Sequence, residues 1–127
     1  MSHRVLVVED DADIRESFIE ILEESGFQTV GAANGHEALE RLRAPGQPPC
    51  LILLDLMMPV MDGISFRREQ LKTPELAGIP VVVLSAYRDL EERVKDLKVA
   101  AYVKKPLDLD DLIGVARRCC ADCATAP

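Results

Sequence analysis

Apolar and polar positions alternate in two ways along this chain. Short apolar stretches at Val5–Val8, Phe27–Ala32, Cys50–Leu54, Val81–Leu84 and Ala101–Val103 predict five strands. Runs of Val, Ile and Leu without strict alternation suit strands covered on both faces. Between them, apolar residues recur at helical spacing. Ile14, Phe18, Ile21 and Leu22 define a first helix that Gly26 ends in a left-handed conformation. Asn34 caps a second, with Glu37 as its capping-box acid and Ala38, Leu39 and Leu42 inward. A third runs from Asp62-Gly63 to about Lys72, on a thin stripe of Ile64, Phe66 and Leu71. Leu90, Val94 and Leu97 mark a fourth. Asp108 caps the last, with Leu109, Leu112, Ile113, Ala116 and Cys120 inward. Pro45–Pro49 and the segment bracketed by Pro74 and Pro80 read as loops.

Strands alternating with helices five times over predict an α/β fold, a (βα)5 parallel sheet with right-handed crossovers. A chain of 127 residues suits one such domain, over 1–120, with 121–127 as a C-terminal tail.

Charge narrows the function. A net charge of −7 argues against binding nucleic acid or an anionic membrane surface, since both need a basic face. No apolar run reaches the length of a membrane span, and Met1–Arg4 does not open a signal peptide, so a cytoplasmic location is expected. Cys119, Cys120 and Cys123 crowd the end of the last helix and the tail. One Cys-x-x-Cys pair supplies two ligands where a structural zinc takes four, and these cysteines, like Cys50, are given no role.

In a doubly wound sheet, chemistry collects beyond the carboxyl ends of the strands. Here those ends carry Glu9-Asp10-Asp11, Asp55, Ser85 and Lys104-Lys105-Pro106. Clustered carboxylates repel and call for a cation. Oxygen ligands with no nearby His or Cys point to Mg2+ or a similar hard ion. A carboxylate beside such an ion can act as a phosphoryl nucleophile, and an ammonium and a hydroxyl can bind the remaining phosphoryl oxygens. Asp11 and Asp62 read as helix caps instead, and His3 and His36 as surface residues.

These residues resemble a known family, the receiver domains of two-component response regulators. The likeness runs from Arg4 to about Arg118 and rests on Val5–Asp11, Leu53–Gly63, Val83–Ala86 and Tyr102–Pro106. The resemblance implies a flavodoxin-like strand order, 2-1-3-4-5. It implies phosphorylation of Asp55 by a sensor histidine kinase or phosphotransfer protein, with Mg2+ as cofactor. Asp10 would bind the metal directly, Glu9 directly or through water, and the Met57 carbonyl would complete the protein ligands with Asp55. Ser85 and Lys105 would bind the phosphoryl group, and Tyr102 would turn inward as Ser85 moves. The Lys105–Pro106 bond would be cis. The output would be altered contact with a downstream protein target or output domain. Such a domain is a switch that assists only its own phosphorylation and dephosphorylation.

Two departures from the pattern carry expectations of their own. The family usually has a Gly-Ala pair before the aromatic residue, whereas Leu97–Tyr102 is shorter and lacks glycine, which predicts a shortened or altered fourth helix. Met57 and Tyr87, each two residues past a site residue, would flank the path of water to the phosphoryl group and set its lifetime. Two other functions compete. A phosphatase of the haloacid dehalogenase class would need a second Asp where Met57 stands, and more chain. An interaction module with this fold would dispense with phosphorylation, and the joint presence of Glu9, Asp10, Asp55, Ser85 and Lys105 argues against it.

Overall fold

The computed structural model describes residues 4–46, 48–56, 58, 60–86, 90–105 and 108–125, with backbone alone at 109 and 119–125. Strands β1 (Arg4–Val8), β2 (Gln28–Ala32), β3 (Leu51–Asp55), β4 (Val81–Ser85) and β5 (Ala101–Lys104) form one parallel sheet in the order β2-β1-β3-β4-β5. The helices are α1 (Ala12–Glu24), α2 (Gly35–Arg43), α3 (Gly63–Lys72), α4 (Pro74–Ala77), α5 (Leu90–Val94) and α6 (Leu109–Thr125). The fold class and strand order are those expected.

Successive residues of a strand face opposite ways, so the three central strands feed two cores. Leu6, Val8, Ile52, Leu54, Val81 and Val83 pack with residues of α2, α3, α4 and α5. Val5, Val7, Leu51, Leu53, Val82 and Leu84 pack with α1 and α6. These twelve side chains are buried, each contributing about 1.5–3 kcal/mol by leaving water.

The expected caps form. Asp11 accepts from the Asp13 and Ile14 amides, Asn34 from Glu37, Asp62 from Ser65 and Asp108 from Asp111. Gly26 has φ of +99°, the left-handed turn expected after α1. His36 is exposed and pairs with Glu40.

Several expectations need correction. The segment between Pro74 and Pro80 contains a helical turn, α4, started by proline at its first position and anchored by buried Leu76. Ile14 is exposed and Ile21 half-buried, so α1 packs through Phe18 and Leu22. The inward face of α3 is Gly63, Phe66, Arg67 and Gln70, with Ile64 partly buried against the same core and Leu71 half-buried. Two polar residues hold core positions there, which is why the apolar stripe looked thin. Helix α6 continues to Thr125, past the boundary expected at 120. It packs through Leu112, Val115 and Ala116. Helix α5 stops at Val94, so its C-terminal end is short, as the missing glycine led us to expect. His3, Met57, Tyr87 and Pro106 lie outside the described residues, as do the side chains of Leu109, Cys119, Cys120 and Cys123.

Candidate functional site

Sheet register assembles the site. Val8 lies beside Leu54, Asp55 beside Leu84, and Ser85 beside Lys104. One residue beyond these pairings, Glu9, Asp55, Ser85 and Lys105 gather along one edge. The Lys105 amide donates to the Ser85 carbonyl at 2.8 Å, drawing the chain after β5 across the end of β4. On the other side, the Glu9 amide donates to Ala32 at 3.0 Å.

The loop after Asp55 is held by close approach. A Cβ on Gly63 would lie 2.5 Å from the Asp55 carbonyl oxygen and 2.8 Å from the Leu56 Cα, so only glycine lets α3 start this near the acceptor strand. The Gly63 amide then donates to the Leu56 carbonyl at 3.2 Å.

Carboxylate oxygens of Glu9, Asp10 and Asp55 lie within 4.8 Å of one another. Glu9 and Asp55 are buried and Asp10 is exposed. Lys105 Nζ donates to Glu9 Oε1 at 2.8 Å and stands 3.7 Å from Asp55 Oδ2. Burial pulls the Lys105 ammonium down, but the bond to Glu9 and the charges of Asp55 and Glu9 outweigh it and hold the group above its ordinary value. Partial burial, then the neighbouring Glu9, pushes the Asp10 carboxyl up. The described site thus gathers three carboxylates, with the Lys105 ammonium beside two of them, Glu9 and Asp55. Hard oxygen donors at this spacing fit a divalent cation such as Mg2+.

The two other described residues expected at the site lie on β4 and β5. Ser85 is fully buried at the end of β4. Tyr102 is 41% exposed on β5. Arg15 was not anticipated. From the first turn of α1 its Nη1 donates to the Glu9 carbonyl at 2.8 Å, tying the β1–α1 loop. The only sequence signal was a cation one turn past the Asp11 cap.

A doubly wound sheet with three acids, a hydroxyl and a lysine at its carboxyl edge defines a receiver domain. The chain belongs to the response regulator receiver domain family: the family's sequence profile, "Response regulator receiver domain", matches residues 5–117. Among curated relatives, the chain is 41% identical over 115 residues to the phosphate regulon transcriptional regulatory protein PhoB of Escherichia coli, covering 89% of this chain and 49% of that protein. It is 42% identical over 113 residues to the transcriptional regulatory protein PdtaR of Mycobacterium tuberculosis, covering 87% and 53%. The chain thus spans about half the length of these relatives. A solved signal receiver domain of a signal transduction histidine kinase from Syntrophus aciditrophicus superposes with a TM-score of 0.89 at 30% identity, covering 99% of this chain and 96% of that one.

Proposed function

We propose that this chain is a Mg2+-dependent switch that accepts a phosphoryl group on Asp55 from a phosphohistidine of a sensor histidine kinase or phosphotransfer protein. The observation that carries this reading is the cluster of three carboxylates within 4.8 Å, with the Lys105 ammonium set between Glu9 and Asp55. In the transfer, an Asp55 carboxylate oxygen forms a bond to phosphorus as the phosphorus–nitrogen bond breaks, and the donor imidazole leaves. Bound Mg2+ supplies neutralisation of acceptor and phosphoryl charge. Asp10 and Asp55 would hold it, with Glu9 and the Met57 carbonyl completing the set. Lys105 pairs with a phosphoryl oxygen, and Ser85 donates its hydroxyl to another. Tyr102 would follow Ser85 inward, and Tyr87 with Met57 would shield the acyl phosphate from water.

The chemistry is self-directed, so the chain turns over no external substrate. Its product is a changed surface, read by a downstream protein target or an output domain. The expected setting is the cytoplasm, where a kinase finds ATP. The test is incubation with acetyl phosphate and Mg2+ followed by intact-protein mass measurement. Wild type gains one phosphoryl group, and Asp55→Asn gains none. A wild type that stays unlabelled would leave an interaction module with this fold as the better reading.

A further inference from the structure

We propose that Arg67, backed by Gln70, is a positioning residue for the turn between α5 and β5: its guanidinium caps that turn in place of the missing glycine, and so makes the lead-in to Tyr102 a part of α3.

The argument begins with backbone geometry. After α5 ends, the Leu97 amide donates to Val94 at 2.9 Å, and Lys98 then takes φ of +53°. Left-handed backbone is costly for a residue with a Cβ. Carbonyls at a helix end also need donors. Arg67 supplies them. Its Nε donates to the Leu97 carbonyl and its Nη2 to the Lys98 carbonyl, both at 2.8 Å. Its Nη1 donates to Gln70 Oε1 at 2.7 Å. The Gln70 amide in turn donates to the carbonyls of Leu76 at 2.9 Å and Ile79 at 3.1 Å. Arg67 is 3% exposed and Gln70 fully buried. Three N–H bonds from one rigid plane onto three oxygens is a task for arginine that a lysine ammonium cannot copy.

The cap joins two parts of the molecule. At its first residue, α3 packs on the backbone of Asp55, through the close approach of Gly63. Along its buried face it grips the turn from which the chain enters β5. Ala100 donates to Val81 at 2.8 Å, and Tyr102 then pairs with Val83. The outer side of the same turn, including Val94, Lys95, Lys98, Val99 and Tyr102, lines an open surface groove. A rigid helix thus spans from the acceptor to a surface that carries Tyr102.

The inference rests on Asp55 being the acceptor, and the experiments keep the two apart. In thermal unfolding, Arg67→Met lowers the Tm, and Lys98→Gly recovers more stability in that background than it adds to wild type. Additive effects of the two substitutions would overturn the cap. The second readout is the NMR signal of Tyr102, with Mg2+ and beryllium fluoride as the phosphoryl mimic. Wild type shows a shift. Arg67→Met loses it while its Mg2+ affinity by calorimetry stays within roughly twofold. Arg67→Lys behaves as Arg67→Met does. Adding Lys98→Gly restores stability but not the Tyr102 shift, because glycine eases the turn without tying it to α3. A full shift in Arg67→Met, or its return with Lys98→Gly, would overturn the proposal. A wild type that binds no beryllium fluoride by calorimetry would overturn the acceptor reading itself, one that binds it without a Tyr102 shift would overturn the link to Tyr102, and the unfolding comparison decides the cap in either case.

Discussion

Two buried polar clusters touch α3, and they differ in how completely they are satisfied. Around Arg67 and Gln70, five hydrogen bonds join one cation and one amide to backbone and side-chain oxygens. Around Asp55, three carboxylates crowd within 4.8 Å, and the Lys105 ammonium stands beside two of them. The first cluster is complete within the protein. The second becomes complete when more positive charge arrives, as a divalent cation would bring it. Burial alone marks neither cluster as functional; like charges crowded together do.

That contrast can be broken in graded ways. The largest effect is expected at the complete cluster. Arg67→Ala strands two backbone carbonyls and Gln70 Oε1 in the core, and should cost about 3–5 kcal/mol in urea unfolding. A cost near zero would mean that water replaces the guanidinium without loss. At the acidic cluster, Lys105→Met leaves buried Glu9 without its 2.8 Å partner and should cost about 2–3 kcal/mol in metal-free buffer. Mg2+ should return part of it. A loss indifferent to Mg2+ would show that lysine and metal do not share the same carboxylates.

Asp10→Asn should do the opposite. The Asp10 carboxyl is held above its ordinary value by burial and by Glu9, so the folded state takes up its proton more readily than the unfolded chain. Metal-free stability therefore falls as pH rises from the ordinary aspartate value of 3.8 through the raised one. Removing the charge should raise neutral-pH stability by less than about 1 kcal/mol, since the group is exposed and screened. It should also abolish the rise in Tm that Mg2+ gives the wild type. The smallest effect is alkaline. The Lys105 contribution is full below the ordinary lysine value of 10.5 and fades as pH climbs through its raised value. Wild type, but not Lys105→Met, should lose stability across that window.

The same contrast explains what the sequence discloses. The central strands were legible because Val5–Val8, Leu51–Leu54 and Val81–Leu84 are apolar on both faces, a pattern few other elements produce. The acidic site was legible because strand ends are places where polar residues need a reason. Arg67 and Gln70 were not, because a charged residue on a helix normally faces water. Their spacing with Gly63 and Phe66 is that of an inward helical face, but only the placement of Leu97 and Lys98 shows what Arg67 bonds, and only the turn of α4 shows what Gln70 bonds. Ile14 erred the other way: an apolar residue at the right spacing, left 38% exposed in the first turn of α1 beyond the capping Asp11. The missing glycine at Lys98 was visible as an absence, and the structure supplies its counterpart on another helix.

The central claim is that unbalanced acidic charge at the strand ends makes Asp55 a phosphoryl acceptor. The most direct measurement is to label the protein with acetyl phosphate and Mg2+, reduce the acyl phosphate with borohydride, and map the reduced residue by peptide mass spectrometry. The account predicts reduction at Asp55 alone, absent without Mg2+ and absent in Lys105→Met or much slowed. Reduction at Glu9, Asp10 or another carboxylate, or labelling that proceeds equally without metal, would contradict it.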